Sequence, residues 1–311
     1  MPEVAGASTS TSTSASTSAS KGKTSRFEWV TFTSDYGFDD SFVGVCKGVL
    51  AQIAPHVRII DVCHLVAAQD VAAGAGVLAT AMPYLPTAIH LALVDPMPAA
   101  TKGGREDFTR GVVIATGDGS LLVGPDNGLL SQAWDARGGA VSAYEITDES
   151  LWREHVHRTF RGRDVFAPVA GHLANGVAAS SVGPPVDVET LVRLKLRDPR
   201  VDHGEVHGEV RGVDHFGNAS LNVARSDLEA AGISFGDTVE LRCNGRTLTV
   251  PFNPTYGEVA AGRLTLCEDS FRAVMLAVNA GHASRELRIG RGDPIVIARA
   301  PVTAPRPPAT V

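Results

Sequence analysis

The sequence predicts an α/β amino-terminal domain, a mainly parallel sheet with flanking helices, followed by a smaller antiparallel β-barrel domain. Three observations carry this expectation. Strand-like and helix-like segments alternate between Trp29 and Ala174, the pattern of a parallel sheet covered by helices. From about Gly204 the chain changes to short strands and turns, as antiparallel barrels do. Within that stretch Asn244-Gly245 separates two β-rich runs, a strong hairpin signal because both residues tolerate positive φ.

Each element follows from its residues. Trp29-Val30-Thr31-Phe32-Thr33 reads as a buried strand, ended by the acidic turn Ser34-Asp35-Tyr36-Gly37-Phe38-Asp39-Asp40. Beyond it Phe42, Val43, Cys46, Val49, Leu50 and Ile53 recur at helical spacing. Arg58 to Val62 is a second strand, the alanine-rich run from Asp70 to Met82 a second helix, and Ala88 to Val94 a third strand. Gly111 to Ala115 and Leu121 to Val123 flank Gly117-Asp118-Gly119-Ser120, a hairpin-like turn. Gly124 to Ser131 reads as a tight turn into a helix, and Val165 to Ala174 as a further helix. Thr238 to Arg242, Thr247 to Val250, Leu264 to Leu266, Ala273 to Val278 and Ile295 to Ala298 complete the strands. The expected domains are 27–198 and 199–299, joined between Arg193 and His203, with tails at 1–26 and 300–311.

Composition narrows the function classes. A chain of 311 residues, 44% hydrophobic, has ample material for one large domain or two ordinary ones. A net charge of −6 with scattered basic residues argues against nucleic acid. No apolar run approaches the roughly 20 residues of a membrane span. Cys46, Cys63, Cys243 and Cys267 are too irregularly spaced for a zinc motif. Reduced thiols in a cytoplasmic protein are the expectation. The Ser/Thr/Ala run from Ala5 to Ser20 buries too little to order itself, and the end from Ala300 is a proline-rich tail.

Two positions point to chemistry. Asp95 ends the apolar run Ile89 to Val94, where open α/β sheets place their ligands. Gly162 precedes a helix-like stretch, and bare amides at a helix start suit an anion. Together they suggest a site for a small negatively charged nucleophile. Asp35 follows the first strand with no glycine-rich loop, so dinucleotide and P-loop readings are weak. A carboxylate there suits the two hydroxyls of a ribose. Helix-start charge accounts for Asp39 or Asp40 better than for Asp35. Asp214-His215-Phe216-Gly217-Asn218 combines an acid, a stacking face and an amide suited to a base edge, while a plain turn explains it as well. The run His203 to Glu209 alternates like a solvated strand, with metal binding as the alternative. Asp164 reads as structural, offsetting a helix dipole. Of Arg161 and Arg163, one is expected in a salt bridge and the other at the cleft.

As a set, these segments resemble one family, the S-adenosyl-L-methionine hydroxide adenosyltransferases and their fluorinating and chlorinating relatives. The matching pieces are Ser34-Asp35-Tyr36-Gly37, Asp95-Pro96, the run Val123 to Ser131, the run Thr159 to Pro168, Asp214-His215-Phe216-Gly217-Asn218 and Asn253-Pro254-Thr255-Tyr256. They occur in family order between about residues 28 and 299. The resemblance implies a homotrimer with its site between one subunit's first domain and a neighbour's second. It implies that Asp35 holds the ribose hydroxyls, and that Asp40 and Asp214, with Ser270, contact the methionine part. Phe216, Asn218 and Tyr256 would frame the adenine, and Phe160 and Gly162 would lie beside the reacting carbon.

The resemblance also implies a reaction. Water or hydroxide attacks the ribose C5′ of S-adenosylmethionine in line, giving adenosine and methionine with no metal or other cofactor. Asp95 matches the family's acid, and Arg110 its arginine, after an insertion between Ala99 and Thr109. Arg161 stands where the family motif has a histidine, and Met97-Pro98-Ala99-Ala100 replaces its usual turn after Asp-Pro. His155 and His157 are the substitutes on offer. Arg110 is expected to keep Asp95 ionised, with backbone amides around Gly162 adding anion stabilisation. Two other readings stay open: a halide-using adenosyl-halide synthase, and a silent sensor of S-adenosylmethionine or adenosine.

Overall fold

The computed structural model describes residues 27–94 and 109–301. The Ser/Thr/Ala tail, Asp95, the segment Met97 to Ala100 and all but the start of the proline-rich tail lie outside the described residues.

The first sheet draws on β1 (Trp29–Ser34), β2 (Arg58–Cys63), β3 (Ile89–Leu93), β4 (Gly111–Thr116), β5 (Leu121–Pro125), β6 (Ala140–Glu145) and β7 (Pro185–Val186). Their order across the sheet is β2-β1-β3-β5-β4-β6-β7. The pairs β1/β2, β1/β3 and β3/β5 are parallel. The remaining pairs, β4/β5, β4/β6 and β6/β7, are antiparallel. The α/β class stands, with the parallel half at β2, β1, β3 and β5. The reason is local: the tight 117–120 turn folds β5 back on β4, so β5 alone rejoins β3 in parallel.

Helices α1 (Phe42–Ile53), α2 (Val71–Ala81), α3 (Ser131–Ala136) and α4 (Ala167–Ala174) flank the sheet. Central strands covered on both faces must be apolar throughout, and β3 is buried along its whole length. Val30 and Phe32 of β1, with Leu91 and Leu93 of β3, pack with Val43, Cys46 and Leu50 of α1 and Val169 and Leu173 of α4. The opposite face packs Ala92 and Val94 with Leu78 of α2 and Ala133 and Trp134 of α3. That face also buries a polar pair, Thr31 Oγ1 and His90 Nδ1, at 2.8 Å. Burial drives the His90 pKa down to about 4, with the Arg137 charge adding to the effect. Asp70 caps α2 by accepting the Ala73 amide at 3.0 Å, an interaction worth about 1 kcal/mol.

All strand pairs of the second sheet are antiparallel. It comprises β8 (Arg200–Asp202), β9 (Glu205–Val213), β10 (Ala219–Ala224), β11 (Thr238–Cys243), β12 (Arg246–Pro251), β13 (Leu264–Glu268), β14 (Ala273–Val278) and β15 (Pro294–Arg299). The order is β12-β11-β15-β9-β10-β14-β13, with β8 on β9. Apart from these strand pairs, a single parallel bridge between Phe252 and Leu266 nearly closes it into a barrel. Short helices α5 (Arg225–Ala230) and α6 (Ala283–Leu287) lie among the strands. Strand β10 alternates buried and partly buried residues, the period of a sheet with one inward face. Asn244 (φ 46°) and Gly245 (φ 69°) join β11 to β12, as a two-residue turn of positive φ requires.

The barrel lies along α2. Arg291 pairs with Asp70 at the start of that helix. Beyond its end, Phe271 meets Tyr84 edge-on with ring centroids 6.3 Å apart. Among the described residues no helix is long and apolar enough to cross a membrane.

Candidate functional site

Strands β1 and β3 run side by side and end together, and the first half of the site grows from their carboxyl ends. The Asp35 amide donates to the Leu93 carbonyl at 3.4 Å, and its Oδ2 accepts the Gln69 amide at 2.7 Å. Partial burial raises the Asp35 pKa, and the Gln69 amide works against that rise. The turn is clamped from behind by His64, which follows β2. Its carbonyl accepts the Gly37 amide at 2.7 Å, and its Nδ1 is hydrogen-bonded to Ser34 Oγ at 2.7 Å. Ser34 Oγ also accepts the Tyr36 amide at 3.3 Å. The other ring nitrogen reaches Asp61 Oδ1 at 3.2 Å, and Lys47 donates to Asp61 Oδ2 at 2.8 Å. Burial lowers the His64 pKa. Burial alone would raise Asp61, but hydrogen bonds from Lys47 and His64 hold it below the usual carboxylate range. Although this is a Ser–His–Asp arrangement, Ser34 is fully buried, so it positions the turn and does not present a nucleophile.

An aromatic wall stands beside the turn. Phe160 meets Tyr36 at 5.9 Å and Phe42 at 5.1 Å, both edge-on. The Arg163 guanidinium lies 4.9 Å over the Phe160 ring. Gly162 is buried and opens a π turn, Gly162–Phe166, that runs straight into α4. Such single-turn bulges recur at functional sites. A Cβ on Gly162 would fall 2.2 Å from Tyr36 Oη and 3.1 Å from Leu93 Cδ1. Asp40 is exposed in the bend before α1, and neither it nor Asp39 caps that helix, whose cap position is Ser41.

The charged residues around Gly162 are tightly partnered. Arg110 donates through Nε (2.7 Å) and Nη2 (2.6 Å) to Asp126 Oδ2. It also reaches the Thr190 carbonyl at 3.3 Å. Asp126 is buried, and its other oxygen accepts the Val192 amide at 2.8 Å. Arg161 donates to the Thr109 carbonyl at 2.8 Å and lies 5.1 Å over the Phe166 ring. Arg163 forms a two-pronged bond with Asp164, at 2.6 and 2.7 Å. Asp164 is fully buried and also accepts the His157 amide at 2.8 Å. Its burial is offset by the Arg163 and His157 hydrogen bonds, which lower its pKa. His157 therefore belongs to this structural cluster, its Nδ1 3.0 Å from Arg163 Nη2, whereas His155 is exposed. The expected base, Asp95, lies outside the described residues. The carbonyl of its neighbour Val94 accepts Asn127 Nδ2 at 2.9 Å.

The second group of expected site residues lies on the barrel. Asp214 Oδ1 accepts the amides of Phe216 (2.9 Å) and Asn218 (2.8 Å), while Oδ2 accepts Asn218 Nδ2 at 2.8 Å. This ties Asp214-His215-Phe216-Gly217-Asn218 into a closed loop with Phe216 73% exposed. Gly217 (φ 86°) lets the loop sit against His282, whose Nδ1 would be 2.1 Å from a Cβ there. Tyr256 is exposed after β12, and Ser270 is exposed in the β13–β14 turn. Asp269 holds that turn, accepting the amides of Phe271 and Ala273 and the Ser220 hydroxyl at 2.8–2.9 Å.

Within one chain the structure brings together Asp35, Phe160 and Gly162, and separately Asp214, Phe216 and Asn218. The β13–β14 turn that carries Ser270 stands apart from the first group: Phe271 packs on Tyr84 at the amino-terminal edge of β3, whereas Asp35 stands at the carboxyl edge. Sequence reasoning gave no role to four supporting residues: Tyr36 and Asn127, which fall inside the matching pieces, and His64 and His282, which do not. The Asp61-Val62-Cys63-His64 strand end was the available signal for one of them, yet its partner Ser34 is 30 positions away.

Known proteins match both domains of this chain. The model of the SAM hydroxide adenosyltransferase N-terminal domain matches residues 30–183, and that of the C-terminal domain matches residues 208–296. A protein of Salinispora tropica named (R)-S-adenosyl-L-methionine hydrolase is 44% identical over 270 residues, 85% of this chain and 95% of its own. A Nocardia brasiliensis protein named fluorinase is 31% identical over 268 residues, 79% of this chain and 89% of its own. The crystal structure of an uncharacterized conserved protein from Thermotoga maritima superposes with a TM-score of 0.79 at 33% identity, covering 87% of this chain and 100% of that one. Both domains match in order and over most of the chain, so the protein belongs to the SAM hydroxide adenosyltransferase family.

Proposed function

We infer that the protein hydrolyses S-adenosyl-L-methionine to adenosine and L-methionine. The observation that carries this reading is the cluster at the carboxyl ends of β1 and β3. A partly buried carboxylate, an aromatic wall and a glycine with no room for a side chain meet there. The water oxygen forms a bond to the ribose C5′ as the C–S bond breaks, its electron pair passing to the sulfonium sulfur. Methionine leaves neutral, so its departure needs no acid, metal or further cofactor. The proton of water passes to a base, for which Asp95 is the assignment. Holding the reactants in line is the protein's main contribution. Asp35 binds the ribose hydroxyls, Phe160 and Gly162 border the reacting carbon, and Arg110 and Arg161 set the local field. Asp40, Asp214 and Ser270 hold the methionine part, and Phe216, Asn218 and Tyr256 frame adenine.

A homotrimer completes this site, one subunit giving the Asp35 half and its neighbour the Asp214 half. What supports it is the division of these residues between two domains and the exposure of Phe216, Tyr256 and Phe271. The free thiols of Cys46, Cys63, Cys243 and Cys267 support a cytoplasmic setting. The reading is tested by incubating purified protein with S-adenosylmethionine, with and without chloride or fluoride, and separating the products. Adenosine and methionine are expected in every arm. A 5′-halo-adenosine would assign the chain to halide chemistry, and bound but unchanged substrate would make it a sensor. Asp95→Ala is expected to abolish turnover with binding largely intact, and an active variant would remove Asp95 from the mechanism.

A further inference from the structure

We propose that the Tyr36 hydroxyl is a positioning group for the attacking water, standing where a side chain at residue 162 would otherwise begin. This rests on the hydrolytic reading above. The placement is direct: Tyr36 Oη is 2.2 Å, and Cζ 3.1 Å, from the ideal Cβ of Gly162. The same Cβ lies 3.1 Å from Leu93 Cδ1, at the end of β3. The hydroxyl thus sits at the junction of the Asp35 turn, the carboxyl end of β3 and the π turn.

The ring has little freedom to leave this spot. Phe32 at 6.4 Å, Phe42 at 6.0 Å and Phe160 at 5.9 Å surround it. The Tyr36 and Gly37 amides are pinned to Ser34 Oγ and the His64 carbonyl. A phenol hydroxyl donates one hydrogen bond and accepts another. It can therefore fix the direction of the water lone pair without altering the proton balance of the displacement. The glycine at 162 follows from this: the space beside its Cα is taken by a functional group from another strand end.

The test uses the full chain and three variants, Tyr36→Phe, Gly162→Ala and the double substitution. Tyr36→Phe removes only the hydroxyl, and kcat is expected to fall about 10–100-fold, the scale of one hydrogen bond to a charged or reacting group. KM for S-adenosylmethionine and the calorimetric Kd for adenosine should stay within about 3-fold, as expected for an interaction made in the transition state. Gly162→Ala should be severely impaired in the wild-type background. In the Tyr36→Phe background it should cost at least about 10-fold less, because contacting residues are non-additive. Wild-type kcat in Tyr36→Phe, or a harmless Gly162→Ala, would overturn the proposal alone. Wild-type protein that binds S-adenosylmethionine and releases no adenosine would overturn the hydrolytic reading and this role with it.

Discussion

Asp35 is a carboxylate held at a strand end, and the proposed site asks it to bind the ribose. Its Oδ2 accepts the Gln69 amide, and its own backbone amide also bonds the carboxylate. Asp35→Asn keeps an acceptor for Gln69 and removes the charge. Its affinity for S-adenosylmethionine should fall about 10–100-fold, read by titration calorimetry, with thermal stability little changed. Unchanged affinity would remove Asp35 from the ribose site. His90 makes a second case at this scale. Its folded pKa of about 4 lies below the unfolded value of about 6.5, so the unfolded chain binds more protons between those limits. Stability is therefore full above about pH 6.5 and falls as the pH drops towards 4, by about 3 kcal/mol for this residue. Denaturant unfolding at pH 7.5 and 4.5 should show that loss, and His90→Gln should remove most of it.

At the scale of elements, the functional turns are held by side chains from distant segments. The Asp35 turn leans on His64, and the Asp214–Asn218 loop leans on His282 at the start of α6. Gly217 is where this matters most, since any Cβ there would overlap the His282 ring and its φ is 86°. Gly217→Ala should destabilise the fold by about 2–4 kcal/mol, combining overpacking with left-handed strain. A shift in the denaturation midpoint measures it, and an unchanged midpoint would mean the loop moves freely off His282. These supports were not legible in the chain, because each pairs residues far apart in sequence. The elements themselves were legible wherever the period was clear. The helix from Phe42 to Ile53 and the Asn244-Gly245 hairpin emerge as read. The stretch around Gly162 differs: its first turn is π, with Tyr36 packed against Gly162 and Asp164 buried within the turn.

For the whole molecule, the expected site residues are divided between two sheets, Asp35 at the end of β1 and Asp214 in the loop between β9 and β10, and the trimer proposed above pairs them across subunits. A subunit inactive at Asp35 and one inactive at Asp214 should each fail alone. Unfolded together and reassembled, they should recover up to about a quarter of the wild-type sites, since an interface between unlike surfaces can draw one sound half from each. Recovery is measured as adenosine release after mixing. No recovery from a mixture that forms mixed oligomers would place both halves in the same subunit.

The sequence by itself determined the two-part architecture, the hairpins and the position of each chemically capable residue, because local period and turn chemistry act over a few neighbours. Only the tertiary structure decided which of those residues meet. It gave Arg110 to Asp126, tied His157 to Asp164 and set the Tyr36 hydroxyl against Gly162. Such pairings are settled by how strands order within a sheet and how helices pack on it, and that order leaves no periodic trace along the chain.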